Sequence, residues 1–139
     1  METVRFDTKI AVLLRDDLAG WQRLNVCAFL VSGITAAGPQ LVGAPYEDAD
    51  GVGYLPMLGR PVLVYAGSAD VLRAAHGRAL GRGIPLSIFT ADLFTTGNDA
   101  DNRAAVRAVP TEKLDLVGVA LHAGKNAVDK VLKGARMHP

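Results

Sequence analysis

Three clusters of polar side chains have the residue types for chemistry on an anionic or acyl substrate. Arg15–Asp16–Asp17 is followed by Trp21, Gln22, Arg23 and Asn25; Thr90 by Asp92, Thr95 and Thr96; and His122 by Lys125 and Asn126. Arginine grips a carboxylate or phosphate through a fixed fork of donors. An aspartate beside a threonine hydroxyl can orient a water for attack. The first two clusters together point to hydrolysis or acyl transfer on an ester or amide, with no metal and no cofactor. In that reading Asp92, Thr95 and Arg23 are catalytic, and Arg15, Asp17, Trp21, Gln22, Asn25, Thr90 and Thr96 bind the substrate. Each residue also has a structural reading. Asp16 and Asp17 can cap a helix with Arg15 paired to them, Asp92 can cap the segment after it, and Trp21 can seal a helix start.

The elements that must position these clusters are legible as apolar runs. Lys9 to Arg15 is continuous rather than alternating, as an interior strand covered on both faces requires. A helix follows from about Gly20 to Ile34–Thr35. It carries Leu24, Cys27, Val31 and Ile34 at spacings of three and four, with Val26, Phe29 and Leu30 widening the stripe. So few of its residues are polar that it is expected to be mostly buried, against the sheet on one side and another element or subunit on the other. Pro61–Ala66, Pro85–Thr90 and Leu114–Leu121 read as three more strands. Ser68 predicts a helix N-cap before Ala69 to about Leu80, and Gly81–Arg82–Gly83 closes that helix. A short helix is expected over Arg103–Val109 and a last one over about Lys125–Lys133, with Arg136–Pro139 as a tail. Alternation of strands and helices predicts a single α/β domain over residues 1–139. Its expected form is a three-layer α/β/α sandwich with a four-stranded mixed, mostly parallel sheet. In such a sheet ligands gather beyond the carboxyl ends of the strands, and all three polar clusters are expected there.

Composition narrows the function classes. The chain has 139 residues, 15 basic and 14 acidic, so its formal charge of +1 gives no bulk attraction to a polyanion and argues against DNA. Arg73, Arg78 and Arg82 still form a local row that could bind tRNA. Cys27 stands alone among apolar residues and reads as a buried thiol. No apolar run reaches the roughly 20 residues that span a bilayer, and the charged start of the chain is unlike a signal peptide. A soluble, cytoplasmic protein is the expectation. Residues 35–59 are rich in Gly and Pro and read as a long functional or mobile loop, with short edge strands at Leu41–Val42 and Tyr54–Leu55. Glu47, Asp48 and Asp50 lack the spacing of a calcium loop and read as a solvated turn. No GxGxxG, GxxxxGK[ST], HExxH, GxSxG or CxxC occurs.

Two resemblances follow from particular segments. The Leu13–Leu18 turn (LLRDDL) and the run Gly83–Ile88 (GIPLSI) resemble those of type II peptidyl-tRNA hydrolases. The helix start WQRLN (21–25) and the segments PYEDADG (45–51) and GRPVLVYAG (59–67) are similar to those of the domain-of-unknown-function 2000 family. The resemblance implies the hydrolase-like fold, a homodimer, and a small-molecule or acyl-tRNA ligand. Counted from the RDDL turn, the hydrolases' catalytic lysine falls on Leu24, beside Arg23, and their glutamine on Ala28. Their aspartate falls on Ala91, beside Asp92, and their threonine on Thr95. Two functions therefore stand side by side: a hydrolase working through Asp92, Thr95 and Arg23, and a non-catalytic binding or assembly module that has lost the lysine.

Overall fold

In β1 (Thr8–Arg15) side chains alternate between two cores, with Ile10, Val12 and Leu14 on one face and Ala11 and Leu13 on the other. A computed structural model describes residues 5–139; the first four residues of the polar lead-in lie outside the described residues. Burial on both faces explains why the run is apolar without interruption. β1 is the central strand. It pairs in parallel with β4 (Val62–Gly67) and antiparallel with β6 (Leu116–Gly124). β5 (Ser87–Thr90) adds antiparallel to β6, and β7 (Arg136–Met137) antiparallel to β4. The sheet order is thus β5-β6-β1-β4-β7.

Two expectations are corrected here. The sheet has five strands rather than four, and only the β1–β4 pair is parallel. The fifth strand is the stretch that reads as a tail. Gly134, at φ 93°, reverses the chain after α4 (Lys125–Val131), and the His138 amide then bonds the Val64 carbonyl at 2.9 Å. β6 runs antiparallel because the connection from β5 never crosses the sheet. Its helix α3 (Asp99–Arg107) has no fully buried residue, so no apolar face draws it along the sheet. The Ala91 amide bonds the Asp115 carbonyl at 2.9 Å, closing the excursion at the end where it began.

The helices divide between the two faces. α1 (Gly20–Ala37) lies on one, seated by Val26, Leu30 and Ile34. α2 (Ala69–Gly81) and α4 lie on the other, through Leu72, Ala75, Ala79, Val128 and Val131. Ser68 caps α2 as its sequence predicts, accepting from the Val71 amide at 3.3 Å. Each such Leu or Val contributes about 1.5–3 kcal/mol by leaving water. α1 packs closely over Gly118, where an added Cβ would stand 2.6 Å from Val26 Cγ1 and 2.9 Å from Leu30 Cδ1. The expectation that α1 is mostly buried needs correction. Leu24 is exposed on its outer side, and Trp21 and Phe29, although each touches one ring beyond α1, are more than half exposed.

The 42–59 stretch is more ordered than its Gly and Pro content suggests. It forms a hairpin of β2 (Tyr46–Glu47) and β3 (Gly53–Tyr54), closed at its base by a Val42–Leu58 bridge. Leu41 belongs to a 3-10 turn rather than to an edge strand. Asp48 accepts from the Asp50 and Val52 amides at 3.0 Å and from the Tyr54 hydroxyl at 2.8 Å. These bonds, led by that from Tyr54, hold the Asp48 carboxyl below its ordinary range. The acidic cluster is therefore a turn, with its central carboxylate engaged.

Candidate functional site

The carboxyl ends of β1, β4 and β5 meet at one end of the sheet, which gathers the first two polar clusters. The third does not join them. Because β6 is antiparallel, His122, Lys125 and Asn126 emerge at the opposite end, where the His122 ring bonds the Thr8 hydroxyl at 2.9 Å.

At the shared end the charged groups are already occupied. Arg15 donates to Asp17 at 2.7 Å and to Asp115 at 2.8 Å. Arg23 donates to the Leu18 carbonyl at 2.9 Å and the Asp16 carbonyl at 3.0 Å, and reaches the ring of His138 at 3.3 Å. Its guanidinium binds the turn between β1 and α1 to the end of the chain. The Gln22 amide oxygen accepts from the Ala19 amide at 2.9 Å, supplying the cap that Ala19 lacks. Thr95 donates to the Asp92 carbonyl at 2.9 Å, while the Asp92 carboxylate is exposed and has no hydrogen-bond partner among the described residues. Thr90 is only 1% exposed, and its hydroxyl is buried without a partner among the described residues.

What the fold does bring together is aromatic. Trp21, Asn25 and Phe29, spaced four apart, form one stripe along α1. They face Phe89 of β5, Leu93, Phe94, Thr96 and the start of α3 across a cleft of about 310 Å³. Past Phe29 the cleft opens into a second hollow of about 520 Å³, walled by Ile88, Val106 and the Asp99–Arg103 ion pair. The rings contact edge to face, Trp21 with Phe94 at 5.7 Å and Phe29 with Phe89 at 5.9 Å, while Phe89 and Phe94 are 5.1 Å apart. Polar groups rim them. Asn98 caps α3 by accepting from the Asp101 amide at 2.9 Å, and Thr96 donates to Asn102. Of the ten residues assigned from sequence, Trp21, Asn25 and Thr96 line this cleft; Arg15, Asp17, Gln22, Arg23, Thr90, Asp92 and Thr95 line neither hollow.

The family described as "Protein of unknown function (DUF2000)" matches residues 8–139. The chain belongs to this family. Among solved structures it is similar to Atu0240, a protein of unknown function from Agrobacterium tumefaciens strain C58. The two are 46% identical, the match covers 97% of this chain and all of the other, and the TM-score is 0.95. No curated protein matches.

Sequence reasoning missed most of the wall of the cleft in this DUF2000 chain. Three of its four phenylalanines meet its only tryptophan there, and the spacing of Trp21 and Phe29 on one helix was the available signal. Asn98 with Asp101 was the second: it starts α3 four residues earlier than expected, placing Asn102 on the cleft. Elsewhere the bland readings fit. Burial pushes the half-buried Cys27 thiol above its usual range. Arg78 donates to the Val131 and Lys133 carbonyls and Arg73 pairs with Asp70, so two of the three arginines in the row serve α2 and its neighbours.

His76 is buried, and burial lowers its proton affinity below the ordinary value; His122 shifts the same way, from burial and then the charge of Arg60. A depressed folded-state value means stability is complete above the unfolded pKa of about 6.5 and is lost as pH falls through the folded value. The urea midpoint is therefore expected to drop from about pH 6.5 to 5, and His76→Gln to flatten the drop. An unchanged slope in the variant would assign it to other groups.

Proposed function

We propose that this DUF2000 chain is a non-catalytic binding protein that holds a small amphipathic ligand with a planar apolar ring in the Trp21–Phe94 cleft. The observation carrying this is the wall itself: aromatic faces rimmed by the amide of Asn25 and the amide nitrogen of Asn102, with Thr96 and Asn98 bonded into the rim. Small-molecule sites have this mix of apolar walls and a few orienting polar groups. The hydrolase reading, with the type II peptidyl-tRNA hydrolase-like fold it assumes, rests on Asp92 and Thr95. Supporting binding over cleavage, Thr95 spends its proton on a backbone carbonyl and Arg23 and Arg15 are engaged within the fold. Leu24, where those hydrolases have lysine, is an exposed apolar residue.

The test uses the neutral fluorophore N-phenyl-1-naphthylamine beside labelled N-acetyl-aminoacyl-tRNA. Probe emission should rise on binding, with affinity falling at least about tenfold in Trp21→Ala and in Phe94→Ala and holding in Leu80→Ala. One lost aromatic contact together with its ring burial, about 1.4 kcal/mol or more, is that factor. Equal binding in all four proteins removes the cleft as the site. Release of the acyl group by the wild type but not by Asp92→Ala would instead establish hydrolysis.

A further inference from the structure

The end of the sheet opposite the aromatic cleft carries a separate hollow, of about 380 Å³, beside the start of β1. Its charge is one-sided. Arg5, Lys9, Arg60 and Lys125 line it, against a single carboxylate, Asp129. Asp129 is taken by Lys9 at 2.7 Å. Among the described residues Arg5, Arg60 and Lys125 have no ion-pair partner, although the chain as a whole is nearly neutral.

Arg60 is the informative residue. It is half-buried, yet its guanidinium meets only neutral groups: it donates to the Thr8 hydroxyl and lies 4.6 Å over the Phe6 ring. Its Nε–H is buried with no acceptor among the described residues. A charged donor held this way is costly unless an anion completes it. His122, on the other side of Thr8, is held toward its neutral form by burial and by Arg60, so it adds no further positive charge and, like any imidazole, no anion. The remaining walls are apolar, from Phe6, Ile10, Pro61 and Leu63.

We propose that this hollow binds a small phosphate monoester, the phosphate among Arg5, Arg60 and Lys125 and the organic body against Phe6 and Pro61. Four cations less one carboxylate leave three positive charges. A phosphate monoester brings a charge of about −1.5 to −2 and three acceptor oxygens at neutral pH, whereas a carboxylate brings one charge and two oxygens. Arginine meets either in a fork, but only the phosphate has an oxygen left for a lysine. The apolar walls favour an organic monoester over the bare ion. The site is independent of the aromatic cleft, and neither reading rests on the other.

Phenyl phosphate, benzoate and inorganic phosphate are the probes, titrated calorimetrically into the full chain. Phenyl phosphate is expected to bind with a submillimolar Kd, at least about tenfold tighter than either of the others. Arg60→Gln should weaken it at least tenfold. Lys125→Gln, at an exposed position where folding is not at risk, should weaken it severalfold. Trp21→Ala should leave it unchanged. No heat at millimolar phenyl phosphate, or affinity indifferent to both Arg60→Gln and Lys125→Gln, overturns the proposal. Benzoate binding as tightly as phenyl phosphate overturns the phosphate assignment.

Discussion

Gly118→Val is expected to destabilise the chain by about 3 kcal/mol or more, lowering the melting temperature by roughly 10 °C. β6 is next to the central strand, and at residue 118 its surface must admit α1. A Cβ there would stand 2.6 Å from Val26 Cγ1, 2.9 Å from Leu30 Cδ1 and 3.4 Å from Leu14 Cδ2, all in the packed core. The first two separations are shorter than nonbonded carbons tolerate, and close-packed interiors relax only partly. Either α1 moves off the sheet, exposing Val26, Leu30 and Ile34, or those side chains leave their preferred rotamers. Gly118→Ala should cost less, about 1–3 kcal/mol. Val26→Ala combined with Gly118→Ala should recover part of that cost, because it removes the methyl nearest the new carbon. Thermal melts of the four proteins check this. A Gly118→Val chain as stable as wild type would show that α1 is not seated through this glycine.

The same seating shows what local sequence carries. The run Ile10–Leu14 announces burial on both faces, and Ser68 announces the start of α2, because each signal is spent within a few residues of where it is written. Strand direction is not written that way. Leu116–Leu121 is continuously apolar whether it runs up or down, and its direction is set by a connector that stays at one end of the sheet. With β6 reversed, a third of the expected polar end moves to the far side, and Lys125 of that cluster lines a basic hollow. β7 escapes notice for a different reason. Two residues have no periodicity, and only the positive φ of Gly134 aims them at β4.

At the candidate site, residue types proved less informative than partners. Arg15, Arg23, Gln22 and Thr95 have the side chains of a catalytic cluster, yet each is engaged within the fold: Gln22 and Thr95 by backbone three residues away, and the two arginines by local groups together with distant ones. Asp115 lies 100 residues from Arg15 and His138 lies 115 from Arg23. The residues left to meet a ligand are those whose contacts are mostly apolar, and a search for acids, bases and nucleophiles passes over them. Trp21 and Asn25 stand out because they flank the turn; Phe29 reads as part of the apolar stripe of α1, Phe89 lies inside a strand, and Phe94 carries no polar signal.

Arg23 separates the two views of that end most sharply. Its fork holds the Asp16 and Leu18 carbonyls, at 3.0 and 2.9 Å, and so fixes the exit from β1 and the entry to α1. Removing it leaves two carbonyls to water in a half-buried turn and frees His138. Hydrogen bonds from a charged donor contribute about 1.5–3 kcal/mol each when shielded, and partial exposure reduces that, so Arg23→Ala is expected to cost about 2 kcal/mol in urea unfolding. Arg23→Lys should recover less than half, since an ammonium cannot span both carbonyls in one plane. His138→Ala alone should cost little. A catalytic arginine would give the opposite pattern, with unfolding unchanged and any turnover lost. If Arg23→Ala unfolds at the wild-type urea concentration, the guanidinium is not the clasp of this turn, and the case for a reacting group at the end of β1 is reopened.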